Sequence, residues 1–209
     1  MKIILRDNAE KYSLPLPILK SVHIADAICR EGKEYDVLAG LDKGYIEQLK
    51  ELSADENDTA LRDFTSDRKR FVVGTYEYWY QKNRSIFALI NKQNDELAAI
   101  VWFGPKPLGK KSPKFSEQLE PKVESERDLS SDWHTISVRS YPKYRGKGIM
   151  KVFTKFAMDT YKQHFPHVKF WSGMDDRNPS SVGLHKDLGF VIDEQCSDLS
   201  EHWLIMTTR

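Results

Sequence analysis

The sequence predicts an α/β fold, and three features of its last two thirds carry that expectation. The run "WHTISVRS", Trp133 to Ser140, alternates with the period of two that marks a β-strand. The run "IMKVFTKFAMDTYKQHF" that follows places Val152, Phe153, Phe156, Ala157 and Tyr161 at helical spacing, as one inward stripe. Strands and helices then keep alternating to the C-terminus. From Ser66 onward the order reads helix, strand, strand, strand, helix, strand, helix, strand, strand.

Taken in order, "KIIL" reads as a short strand. "SVHIADAICREG" reads as a helix, with Ser21 as its cap and Gly32 as its stop. "YDVLAG" reads as a strand and "DKGYIEQLKEL" as a helix capped by Asp42. "SADENDT" is a polar link. "SDRKRFVVGTYEYWYQKN" then reads as one helix capped by Ser66, with Phe71, Val72, Thr75, Tyr78 and Trp79 at helical spacing. "SIFALI" and "LAAIVWF" are rich in residues that favour strands, and the turn-rich "NKQNDE" joins them as a hairpin. Gly104 to Asp132 has no sustained period and four prolines, so a loop that gates or recognises substrate is expected there. Beyond the strand and helix already described, "VKFWSGM" is a strand. "NPSSVGLHKDLG" is a short helix capped by Asn178, with Pro179 at its first position and Gly189 past its end. "FVIDEQC" and "HWLIMTTR" close the chain as two strands.

Composition narrows the function classes. The 209 residues suit one large domain, or a domain with a sizeable N-terminal extension. With 40% hydrophobic and 30% charged residues, the chain can build a packed core. A net charge of +1 argues against a general nucleic-acid binder. Two cysteines, Cys29 and Cys196, cannot make a disulfide framework or a cysteine-rich zinc site, and they fit a reducing compartment. "MKIILRDN" is too short an apolar run for a signal peptide, and no apolar stretch approaches the roughly 20 residues of a membrane span. A cytoplasmic protein is expected.

Two glycine-rich stretches could hold phosphate. "GPKPLGKK", Gly104 to Lys111, nearly spells the phosphate loop of nucleotide triphosphatases. Lys111 stands where a magnesium-holding hydroxyl is needed, and Pro105 and Pro107 remove N–H groups. "RGKGIM", Arg145 to Met150, is better suited. Gly146 and Gly148 can take unusual backbone angles, Arg145 and Lys147 add charge, and a helix starts there with unclaimed N–H groups. The arrangement suits a pyrophosphate. Alone, a short RGxG is also compatible with a solvated basic turn.

A second cluster supplies context. From about Ser66 to Arg209 the chain resembles the GNAT acyltransferase superfamily. The family motif Q/R-x-x-G-x-G/A falls on Arg145, Gly148 and Met150, and the preceding Pro142 to Gly146 is similar to the family's lead into that loop. The later family motif falls without a gap on Asn178, Ser181, Leu184, His185, Leu188, Gly189 and Phe190. The resemblance implies a mixed, mostly antiparallel sheet flanked by helices, with residues 1–64 as an N-terminal elaboration and 65–209 as the core. It implies an N-acetyltransferase that uses acetyl-coenzyme A and a primary amine acceptor, with no metal. Val138, Arg139 and Ser140 would present backbone groups to the pantetheine arm. Arg145, Gly146, Lys147, Gly148, Ile149 and Met150 would hold the pyrophosphate, with Asn178 also at the donor site. Strand 133–140 and "VKFWSGM" are expected to splay apart.

Two positions depart from the family pattern. Met150 stands where Gly or Ala is usual, which limits the approach of backbone to pyrophosphate. His185 stands where many members carry a Tyr that protonates the leaving thiolate. Histidine, with an ordinary pKa of about 6.5, can do that work. It is expected at the edge of the buried face that Leu184 and Leu188 share. Asp175 and Asp176 could take a proton from an ammonium group, or could simply start the following helix. Two rival readings are a GNAT-fold module that binds an acyl-coenzyme A without turnover and a nucleotide triphosphate enzyme built on Gly104–Lys111.

Overall fold

The computed structural model describes residues 1–6, 10–73, 75–110 and 132–208. It divides into two compact units. One comprises Met1–Trp102 with Ser137–Pro166, the other Phe103–Ile136 with His167–Arg209. Most of the long loop expected at Gly104–Asp132 lies outside the described residues.

In the first unit, β1 (Lys2–Leu5), β2 (Ser21–Ile28), β3 (Glu34–Gly40) and β4 (Ser85–Asn91) pair antiparallel in sequence order. β5 (Glu96–Pro105) and β6 (Trp133–Ser140) follow in the strand order, and both run on into the second unit. Every residue of β4 is buried, as its unbroken apolar run requires. β1 is the end strand, with Ile4 and Leu5 exposed between Lys2 and Arg6.

The segment read as a helix from Ser21 is instead β2. Between His23 and Ala25 the partner strand advances only from Leu38 to Val37, so Ile24 is an extra, bulged residue. The bulge shifts the phase of the alternation. Buried Val22, Ile24, Ala25 and Ala27 then acquire spacings that mimic a helix.

The helices of this unit are α1 (Lys43–Ala54), α2 (Thr59–Phe64), α3 (Tyr76–Tyr80) and α4 (Met150–His164). Asp42 caps α1 as expected, its carboxylate accepting from the Tyr45 N–H at 3.2 Å. The single helix expected from Ser66 is two pieces, a π-helical turn at Arg68–Val73 and then α3. Thr75 caps α3 by accepting from the Tyr78 N–H at 3.1 Å, and so starts a new helix inside the expected one. Phe71 and Trp79 are buried as expected, whereas Val72 is 43% exposed and Tyr76 and Tyr80 take the inner positions. Phe71 and Trp102 both meet the Trp79 ring edge-on, at 5.0 and 5.6 Å between centroids. In α4 the inward stripe is Phe153, Thr154, Ala157, Met158 and Tyr161. Val152 and Phe156 are only half-buried.

In the second unit, β6 pairs parallel with β7 (Lys169–Asp175), β7 pairs antiparallel with β9 (Trp203–Thr207), and β9 with β8 (Val191–Ile192). α5 (Pro179–Asp187) lies between β7 and β8 in the chain. The β6–β7 ladder runs from Trp133↔Lys169 to Thr135↔Trp171 and stops, although β7 continues to Asp175 against β9. Gly173 is required by close packing: a Cβ there would stand 2.3 Å from the Trp203 ring. The strand expected over Phe190–Cys196 shortens to two residues. Asp193 turns the chain, accepting from the Cys196 N–H at 3.0 Å through its side chain and from the Ser197 hydroxyl at 2.6 Å through its carbonyl. The fold is a mixed, mostly antiparallel sheet flanked by helices, as the family resemblance implied.

Candidate active site

Beyond β6 the chain passes through Tyr141 and a 3₁₀ turn at Pro142–Tyr144 to Arg145. Gly146 and Gly148 then adopt φ of +72° and +65°, left-handed backbone that L side chains rarely take. Nothing lies within 4 Å of where a Cβ would be at either glycine, so the backbone stands open. Ile149 precedes the first residue of α4, is 1% exposed, and makes no side-chain cap. The 15-residue helix therefore starts with N–H groups that no capping side chain claims, and with its positive dipole end toward the glycines. Lys147 is exposed and only 3.4 Å from Glu31, while Met150 is half-buried. Together these are the elements of an anion cradle.

The strand leading into the cradle is braced by arginines. Tyr141 N–H donates to the Ala98 carbonyl at 3.1 Å, toward β5. By strand alternation, Val138 and Ser140 turn their backbone groups to the opposite edge. On that edge the Val138 carbonyl accepts from Arg139 Nη1 at 2.7 Å and the Ser140 carbonyl from Arg145 Nε at 2.8 Å. Arg139 also grips the fully buried Asp67, with Nε 2.5 Å from Oδ2 and Nη2 2.9 Å from Oδ1. Arg70 adds a third bond to Asp67 at 2.5 Å. Both guanidinium groups lie over Trp102, at 4.8 and 5.5 Å from its ring centroid. Burial acts to raise the Asp67 pKa, but Arg139 and Arg70 outweigh it and hold the carboxyl below its ordinary value. Arg145 in turn makes a bidentate pair with Asp58, at 2.7 and 2.5 Å. Sequence reasoning read Asp58 as part of a polar link and did not single out Asp67. The available signal was Asp58 directly before "TALRDF", since its carboxylate also accepts from the Leu61 N–H and caps α2.

In the second unit, Asn178 caps α5 as expected, accepting from the Ser181 N–H at 3.1 Å, and Pro179 fills the first helical position. His185 does not lie at the edge of the buried face. It is 1% exposed, while Leu184 and Leu188 are half-buried. Its ring meets Phe190 edge-on at 5.1 Å. Nδ1 is 2.8 Å from the Ser181 carbonyl, an acceptor, so Nδ1 carries the proton and Nε2 holds the lone pair. Nε2 is buried and has no partner among the described residues. Burial lowers the His185 pKa, and the Ser181 carbonyl partly opposes that shift. Asp175 is engaged by Arg177 at 2.7 and 2.9 Å, and those hydrogen bonds pull its pKa down to about 2. Asp176 meets His202 at 2.9 Å. His134, on β6, is buried.

The other glycine-rich stretch makes no comparable site. Gly104 and Pro105 are the last, buried residues of β5, and Gly109 packs against Cys196, which would lie 3.3 Å from an added Cβ. Lys111 lies outside the described residues.

An open glycine loop at an uncapped helix start, after a braced strand, offers backbone N–H groups of the kind that suit an anion. A family model described as the acetyltransferase (GNAT) family matches residues 47–190, which take in the cradle, β6, β7 and α5. The chain belongs to that family and is an acyltransferase. No curated protein matches it. Among solved structures, the GNAT domain of PAT from S. lividans is similar, with a TM-score of 0.56 at 12% identity over 87% of this chain and 94% of that one. An uncharacterised protein from Bacillus halodurans gives 0.58 at 13% identity, over 92% of each chain. A chimera of the spermidine N-acetyltransferase SpeG from Vibrio cholerae and hSSAT gives 0.54 at 14% identity, over 83% and 94%. At these identities the likeness is one of fold.

Proposed function

We propose that the protein transfers an acetyl group from acetyl-coenzyme A to a primary amine, on a small molecule or a peptide, by direct attack. The observation that carries this reading is the loop Arg145–Met150, with two left-handed glycines, open space above them and an uncapped helix behind. That set fits a pyrophosphate: many N–H donors, no bulk, and the exposed cation of Lys147. Gly146, Lys147, Gly148, Ile149 and Met150 would line it, with Arg145 as its first residue. The backbone of Val138, Arg139 and Ser140 would guide the pantetheine arm, and Asn178 would fix the start of α5.

The donor supplies a thioester carbonyl. The amine forms the new C–N bond as the C–S bond breaks, and its proton leaves to water or a base. Backbone N–H groups of β6 would stabilise the oxyanion. His185 would take a proton from solvent at Nε2, the atom with no other partner among the described residues, and as the imidazolium pass it to the departing thiolate. Burial disfavours the imidazolium, and a negative charge forming beside Nε2 would favour it. Among the described residues no helix is long and apolar enough to cross a membrane, and both cysteines are free thiols. We assign the protein to the cytoplasm.

Mass spectrometry of the purified protein should find co-purified coenzyme A, and an amine panel should release free thiol from acetyl-coenzyme A. Binding of acetyl-coenzyme A without thiol release on any amine would replace the transferase reading with that of a binding module.

A further inference from the structure

The structure assigns Asp58 as the positioning residue of the cradle: it holds Arg145 as a strut, so that Arg145 shapes the loop and does not serve as a phosphate ligand. The inference deepens the proposed function and rests on its reading of Arg145–Met150 as the pyrophosphate site. Asp58 is 3% exposed and has two duties. Oδ1 accepts from the Leu61 N–H at 3.1 Å, closing the start of α2, and from Arg145 Nη1 at 2.7 Å. Oδ2 accepts from Arg145 Nη2 at 2.5 Å. The third arm of the guanidinium, Nε, donates to the Ser140 carbonyl at 2.8 Å.

One planar group thus ties three pieces of backbone: the start of α2, the end of β6, and the residue just before Gly146. The Ser140–Arg145 link closes a ring around the 3₁₀ turn Pro142–Tyr144. The angle at which the chain enters the two left-handed glycines is therefore fixed from behind. A guanidinium has five N–H donors, and three are committed here. Its charge is matched by a carboxylate buried on the protein side. The cation left to face a phosphate in this loop is Lys147, which is exposed and only weakly paired with Glu31.

The two roles of Arg145 separate on a conservative change. Lysine keeps the charge but cannot make the fork. A strut predicts that Arg145→Lys weakens coenzyme A binding about tenfold or more, as much as Arg145→Gln does, through loss of geometry. A phosphate ligand predicts that Arg145→Lys stays near the wild type while Arg145→Gln falls. Asp58→Asn keeps an acceptor for the Leu61 N–H and removes the charge that orients Arg145. The strut predicts weaker binding, no further loss when Asp58→Asn is added to Arg145→Gln, and a raised KM for acetyl-coenzyme A with little change in kcat. Freeing a phosphate ligand would instead tighten binding.

Calorimetry with coenzyme A on these variants, each checked by circular dichroism, decides the matter. Near-normal affinity in Arg145→Lys, or tighter binding in Asp58→Asn, overturns the inference. If Asp58→Asn does not fold, the Lys and Gln pair at Arg145 still decides. Gly148→Asp is the control for the underlying reading. If it abolishes coenzyme A binding while Arg145→Lys is silent, only the strut is wrong. If binding ignores Gly148→Asp, the cradle falls and the strut with it.

Discussion

The start of α5 carries a side-chain cap and the start of α4 does not. At α5, Asn178 accepts from the Ser181 N–H, and Pro179 occupies a position where a missing N–H costs nothing. At α4, the cap position is Ile149, which offers no side-chain acceptor, and left-handed Gly146 and Gly148 lie just before it. The chain can cap a helix, since it does so with Asp42, Asp58, Thr75 and Asn178. The open end of α4 is then a gap that a ligand can fill, and the closed end of α5 is a support for the side chains it carries.

The largest effect expected from this contrast is at Gly148. Gly148→Asp puts a carboxylate where the pyrophosphate would sit. Two like charges about 4 Å apart repel by about 4 kcal/mol at an effective dielectric of 20, roughly a thousandfold in affinity. Calorimetry with acetyl-coenzyme A on the folded variant measures it. Unchanged affinity would remove the distinction between the two helix starts.

His185, carried by the capped helix, comes next. His185→Ala should lower kcat by about 10²-fold while donor affinity barely moves, because a proton donor acts in the transition state. Burial holds the native pKa of His185 below about 6.5, so donation fails as the pH rises through that lowered value. His185→Tyr, whose phenol titrates near 10, should recover part of the rate and carry the fall to higher pH. Profiles of kcat against pH for the three proteins settle the role. Near-normal kcat in the alanine variant would make His185 a packing residue against Phe190.

Asn178→Ala should have the smallest effect and the opposite character. Losing the cap costs about 1 kcal/mol of stability, a few degrees in Tm, with donor affinity within about twofold. A variant as stable as the parent but with poor donor binding would move Asn178 from the helix end to the ligand.

The sequence was most legible where a segment obeys one rule. β6 alternates and α4 keeps a helical stripe, and Asn178, Pro179 and Gly189 mark α5 within a residue. β2 was misread because bulged Ile24 breaks its period. The stretch after Ser66 was misread because its aromatic spacing suits one helix as well as two. Within the site, the glycines and the helix start could be read locally. The braces could not: Asp58 lies 87 residues from Arg145, and Asp67 lies 72 from Arg139. Nothing local distinguishes a buried Asp from a solvated one. The depth of His185 was also hidden, because burial on a short helix depends on what packs above it.

The end strand β1 has a consequence for how the protein behaves in a tube. Its backbone edge is a template for a neighbouring chain, and Ile4 and Leu5, 45% and 70% exposed, offer that neighbour an oily surface. Lys2 and Arg6 flank them, so two copies approaching edge to edge bring like charges together. Such a guard is electrostatic and reaches about 8 Å at physiological ionic strength, but only about 3 Å in 1 M salt. Concentrated stocks should therefore stay clear in dilute buffer and turn cloudy as salt is added.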